Sequence, residues 1–212
     1  MIATLLAAAT WAQATLTQSQ SFSGGTIPDG SQVGTIFTGT FSQTGFNSPV
    51  LGANVSLDIT GGYNGDLYAY LVAPNGTMVL LLNQPGVAVN GFGASGAGMN
   101  LMLTDATGGN GAIQSVTSGG ILSGNYNAAG TLANFNNSGP GGVSVANGTW
   151  TLFFADLGAG GGTGPSVLNG WSLELTVVPE PVTLALGAFA LMLVSVAGLK
   201  WVRRMPGHGR AS

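Results

Sequence analysis

Carboxylates are the only strong chemical groups in the long middle of this chain. Asp29, Asp58, Asp66, Asp105, Asp156 and Glu174 lie between Thr15 and Val177, a stretch with no Lys, Arg, His or Cys and therefore a formal charge of −6. Two carboxylates facing each other across a cleft at about 5–9.5 Å hydrolyse glycosides, and several gathered with loop carbonyls ligate calcium. A Ser-His-Asp triad is excluded, because the only histidine, His208, lies past an apolar run near the C-terminus. The lack of cysteine removes thiolate nucleophiles and Cys/His zinc sites. Nucleic acid is repelled by a surface without Lys or Arg. Glu174 and Asp58 alternate with apolar neighbours and read as solvated strand residues. Asp29, Asp66, Asp105 and Asp156 fall at strand ends or turns, where Asp commonly accepts hydrogen bonds from backbone N–H groups. Some subset of these acids with loop carbonyls is the one available metal site, with Asp66, Asp105 and Asp156 as the candidate calcium ligands. No other cofactor and no catalytic residue is assigned.

The elements that position these acids are strands. Trp171, Leu173, Leu175 and Val177 alternate with Ser172, Glu174 and Thr176, the period of a half-buried strand. Similar runs occur at Val33 to Phe41, at Val55, Leu57 and Ile59, at Leu67 to Val72, at Met78 to Leu82, at Leu101 to Leu103, and at Trp150, Leu152 and Phe154. Turn signals separate them, among them Gly61-Gly62, Pro74-Asn75-Gly76, Asn147-Gly148 and Gly160-Gly161-Gly162. Glycine recurs too often for ordinary helices to persist. The expectation is an all-β jelly-roll β-sandwich with long loops at Gln84 to Gly98 and Gly119 to Val143. Trp150 and Trp171 read as core, whereas Tyr63, Tyr68, Tyr70 and Tyr126 are the candidates for a surface contact. The Gly-rich loops lack the Lys and the strand-to-helix context of a phosphate cradle.

The two ends read as addresses. Residues 1–14 form an apolar segment closing on Ala12-Gln13-Ala14, a small-x-small signal-peptidase site with cleavage expected after Ala14, although a basic n-region is missing. All four basic residues, Lys200, Arg203, Arg204 and Arg210, follow the uncharged run Val182 to Leu199. Such a run spans most of a bilayer as a single transmembrane helix, 182–199, and the basic cluster stays cytoplasmic. The expected organisation is a signal peptide (1–14), a β-sandwich (15–177) and a C-terminal tail (178–212).

That tail resembles the PEP-CTERM sorting signal of exported bacterial proteins. Pro179, Glu180 and Pro181 are followed by the apolar segment and then by Lys200, Arg203 and Arg204, in the family's order. The resemblance implies an exosortase-type membrane enzyme as partner, together with the secretion machinery. It also implies anchoring in the membrane before processing, then placement in the envelope or exterior.

The middle of the chain resembles the P domain, or P/Homo B domain, that accompanies subtilisin-like proprotein convertases. The matching pieces are Ile27-Pro28-Asp29, Gly65-Asp66-Leu67, Pro74-Asn75-Gly76-Thr77, Thr104-Asp105-Ala106, Gly148-Thr149-Trp150-Thr151-Leu152, Asp156 and Asn169-Gly170-Trp171-Ser172-Leu173. This resemblance implies a jelly-roll fold. The Gly158 to Gly164 segment departs from the shorter acidic turn commoner in the family. The expected function is a non-enzymatic exported surface or extracellular protein with a binding or structural module, extracellular polysaccharide being a possible neighbour. The alternatives are an accessory module acting in trans on an exported subtilisin-like protease, favoured by an exposed apolar patch, and a hydrolase using two close acids in a deep cleft.

Overall fold

The strand Val167–Val177 shows how alternation becomes a layer. Leu168, Trp171, Leu173, Leu175 and Val177 are buried, and Ser172, Glu174 and Thr176 face outward. A one-residue register shift between Leu168 and Gly170 lets both Leu168 and Trp171 point inward despite their odd spacing. The computed structural model describes residues 15–178, apart from 108, 118, 137, 140, 141, 144, 145 and 163. The signal segment and the Pro-Glu-Pro tail with its apolar run therefore lie outside the described residues. Contacts divide the chain into one unit of Met1–Val178 and another of Pro179–Ser212. Among the described residues no helix is long and apolar enough to cross a membrane.

In chain order the strands are β1 (Leu16–Thr26), β2 (Ser31–Phe41), β3 (Val50–Thr60), β4 (Leu67–Val72), β5 (Met78–Asn83), β6 (Met99–Leu103), β7 (Leu122–Tyr126), the short pair β8 (Ser138–Gly139) and β9 (Gly142–Val143), β10 (Gly148–Asp156) and β11 (Val167–Val177). Among the described residues there are also one helical turn, α1 (Val87–Asn90), and 3-10 turns at Asn64–Asp66, Ile113–Ser115 and Leu132–Asn136. A five-stranded sheet has the order β1-β11-β3-β6-β7, and a four-stranded sheet the order β2-β10-β4-β5. Pairing is antiparallel except for β6 with β7.

The inner faces of both sheets feed one core. Trp150, Phe41, Phe46, Phe135 and Phe154 are its largest fully buried side chains. Phe135 meets Trp150 edge-on at 5.1 Å between centroids, and the Trp150 indole N–H donates to the Ala146 carbonyl at 2.9 Å. The polar end of a large buried side chain is thus satisfied.

Four strands depart from the expectation. The segment Gly119 to Val143, read as a long loop, contains β7, paired parallel to β6, and the short antiparallel pair β8 and β9. Strand β1 was hidden because its inward positions include Gln18 and Gln20 beside Phe22. Gln20 donates from Nε2 to the Thr40 carbonyl at 2.9 Å and accepts from the Ser42 amide at 3.3 Å. Its side chain thereby ties the edge of one sheet to the edge of the other.

Candidate functional site

Sheet register gathers three acids at one end of the molecule. β10 ends at Asp156, which lies opposite Leu67 at the start of β4 and Ser31 at the start of β2. Asp66 closes the turn just before β4, and Asp29 sits in the turn just before β2. Each strand boundary therefore delivers a carboxylate to the same edge. The Leu157 amide donates to the Asp66 carbonyl at 2.9 Å, and the Gly160 amide to Asp29 Oδ2 at 3.1 Å. A Cβ at Gly158 would overlap the Asp66 carboxylate, so the glycine lets the chain pass close to that side chain.

Asp156 is the unusual member, being only 2% exposed. Its Oδ2 accepts from the Ser166 hydroxyl at 2.8 Å, while Oδ1 is buried with no hydrogen-bond partner. Burial raises its pKa first, and the charge of Asp29 adds to that; the Ser166 hydroxyl and the Gly158 amide work in the opposite direction. The Asp66 pKa is raised too, by burial and then by the charges of Asp156 and Asp29. No basic residue between positions 15 and 178 is available to balance this charge.

Of the three candidate calcium ligands, the structure brings together Asp66 and Asp156 and adds Asp29. Asp105 is elsewhere: its two oxygens accept the amides of Leu132 at 3.0 Å and Ala133 at 2.6 Å, fixing the start of the Leu132–Asn136 turn. Its neighbourhood is a separate recess of about 270 Å³ that includes Asn54, Thr104 and Asn136. The orphaned Asp156 oxygen suits a hard oxygen-seeking cation. Among the described residues, however, no group of three or more His, Cys, Asp or Glu side chains is arranged to hold a metal ion. A cation here would draw its remaining ligands from loop carbonyls.

The two outer faces of the sheets have opposite chemistry. On the five-stranded sheet the outward residues are mostly hydroxyls and amides with two acids, Met102 and Leu51 being the apolar exceptions. Asn54 donates to Glu174 at 2.7 Å, Asn169 to Asp58 at 3.2 Å, and Thr17 bonds Thr176 at 2.8 Å. A shallow recess of about 210 Å³ here, lined in part by Ser21, Ser56, Asn100 and Ser172, contains Asp58 as its one carboxylate. Neither recess pairs two acids, as a glycosidase needs.

On the four-stranded sheet, register aligns Ile36, Phe153, Tyr70 and Leu80 in one outward row and Thr38, Thr151, Val72 and Met78 in the next. Tyr70 and Phe153 stack at 4.7 Å with planes 12° apart, and Tyr68 meets both edge-on at 6.2 and 6.3 Å. Gly34, at φ +59°, allows the Phe153 ring against β2, where a Cβ would overlap the ring and the Phe154 carbonyl. Ile36 is 61% and Met78 59% exposed. Of the four tyrosines read as contact candidates, Tyr68 and Tyr70 share this face, whereas Tyr126 is buried in the core at 8% exposure. Alternation around Tyr68 and Tyr70 was legible in the sequence, but their alignment with Phe153 and Ile36 depends on non-local pairing.

No family model matches the chain, and no curated protein matches it. Among solved structures it is similar to a crystal structure of the Aeromonas sobria serine protease (ASP) and chaperone (ORF2) complex. That likeness has 15% sequence identity and a TM-score of 0.47, covering 79% of this chain and 28% of the other. A structure of the serine protease of Aeromonas sobria is similar at 16% identity and a TM-score of 0.45, covering 77% of this chain and 27% of that one. The chain thus spans less than a third of the length of the chains it matches.

Proposed function

We propose that this chain is a non-catalytic, exported accessory module that acts by binding a protein, in the form of a P-domain-like jelly roll assisting an exported subtilisin-like protease in trans. The observation that carries the reading is the apolar, aromatic outer face of the four-stranded sheet. A two-layer sandwich normally turns polar residues to water, as the five-stranded sheet here does, and an apolar exception usually has a function. The stacked pair favours a protein over a polysaccharide. Tyr70 and Phe153 each cover one face of the other, and Leu80 and Ile36 follow them on the outer sides of the same row, so the rings are flanked by side chains rather than laid flat for a sugar to stack upon.

Export, and handling of Pro179, Glu180, Pro181, Lys200, Arg203 and Arg204 by an exosortase-type enzyme, belong to the same proposal and rest on the residue pattern alone. Before processing the tail would hold the protein in the membrane, and afterwards the module would reside in the envelope or outside the cell. The test is fractionation of cells making the intact chain or one ending at Val177, with and without an exosortase, alongside assay of the exported protease. The expected result is exosortase-dependent shortening and a change in protease yield or activity. An intact chain that remains full length in both backgrounds, beside an unaltered protease, would defeat the proposal.

A second reading rests on the orphaned Asp156 oxygen: calcium bound at the end formed by Asp29, Asp66 and Asp156, with loop carbonyls, as a structural ion that neutralises the buried charge.

A further inference from the structure

Resting on the protein-binding reading above, we infer that the outer face of the β2-β10-β4-β5 sheet is the docking surface, and that its partner presents an apolar flank bordered at one end by lysine or arginine.

The face has a defined centre and a defined end. At the centre Phe153 and Tyr70 stack, with Ile36 and Leu80 on either side in the same row. Ile36 on the edge strand β2 and Met78 on the edge strand β5 stand more than half in water. Four strands at about 4.8 Å spacing and about seven residues long make a face of roughly 450 Å², on which Ile36, Phe153, Tyr70, Leu80, Val72 and Met78 are the apolar part and threonines the rest. Its outward residues include no acid and no base: Ile36, Thr38 and Thr40 on β2, Thr149, Thr151 and Phe153 on β10, Tyr68, Tyr70 and Val72 on β4, and Met78 and Leu80 on β5. Composition alone does not produce such a face, since the same chain covers the five-stranded sheet mostly with Ser, Thr and Asn.

The charge at one end identifies the occupant. β2 and β4 begin, and β10 ends, beside Asp29, Asp66 and Asp156, so the apolar rows run into an acidic border. Asp29 is exposed and Asp66 half-buried, both available to a partner's cation. The β-sandwich of a second copy supplies none, because residues 15–178 contain six acids and no base, and two such domains repel. A partner with an apolar flank and a basic rim matches both features, the apolar part giving affinity and the charged part orientation.

The experiment uses the full chain in detergent and the purified exported subtilisin-like protease of the producing bacterium, with affinity measured at low and moderate salt. Variants are Ile36→Glu with Met78→Glu on the proposed face, Asp29→Asn at its acidic end, and Ser56→Glu with Ser172→Glu on the opposite sheet as control. Folding of each is checked by circular dichroism, with Ile36→Ser and Met78→Ser as milder substitutes. The wild type and the control pair should bind alike, the Ile36 and Met78 pair should lose roughly a hundredfold, and Asp29→Asn should flatten the salt dependence. Wild-type binding that survives both the glutamate and the serine pairs overturns this surface alone and leaves the module reading standing. Self-association abolished by the same pair overturns the choice of partner in favour of a second copy. No binding by the wild type removes the protease reading and this inference with it.

Discussion

Replacing Asp156 with Asn removes a buried charge while keeping its shape. In the wild type Oδ2 is held by Ser166 at 2.8 Å, Oδ1 has no partner, and the side chain is 2% exposed. A buried, unsatisfied acceptor costs about 1–3 kcal/mol, more when charged. Asn retains an oxygen for Ser166 and turns an amide toward a neighbourhood that holds the acidic Asp66 and Asp29. At pH 7 in chelator, Asp156→Asn should therefore be more stable than wild type by about 1–2 kcal/mol, or roughly 3–6 °C for a domain of this size. The pH dependence has a definite sign. Burial raises the Asp156 and Asp66 pKa values above the unfolded value of 3.8. Their contribution to stability is fully present below 3.8 and is lost as pH rises through the raised folded values. Wild type should gain stability as pH falls from 7 toward 4, and the Asn variant should gain less. Calcium should close the gap: at a hundred times its dissociation constant it adds about 2.7 kcal/mol to a state that binds it. Calorimetric unfolding of both proteins at pH 7 and pH 5, with calcium or chelator, measures all three effects. A less stable Asn variant in chelator at pH 7, or a wild type that loses stability on acidification to pH 5, would refute the claim that Asp156 is an uncompensated buried carboxylate. An unchanged midpoint with calcium would remove the cation reading alone.

Trp150→Ala should cost about 3–5 kcal/mol in chemical denaturation, since it empties the centre of the core and removes the edge contact to Phe135. Asp105→Ala should cost about 1 kcal/mol by releasing the amides of Leu132 and Ala133, with the calcium response unchanged because Asp105 is not at the acidic end.

Much of the sandwich was legible because its strands carry their own period. Leu67 to Val72 alternates so cleanly that the expected run and β4 coincide. Strand β1 was not legible, because Gln18 and Gln20 occupy inward positions whose worth depends on a strand that is near only after folding. Strand β7 has apolar residues only at its ends, Leu122 and Tyr126, and its parallel partner β6 is known only from the fold. For the site, Asp66 and Asp156 were named from their positions at strand boundaries. Asp29 and Ser166 join them through non-local register and a loop contact, and Asp105 departs because its oxygens cap a turn.

By itself the sequence determined the carboxylate-only chemistry of the middle of the chain, the absence of a triad or thiolate there, and the dominance of strands. Those properties follow from residue types and from a period of two, which are local. Tertiary structure decided which acids meet, that one of them is buried with an unpartnered oxygen, and that Ile36, Phe153, Tyr70 and Leu80 form one apolar row. These depend on strand order and register, which bring together residues 79 to 125 positions apart by cross-strand pairing.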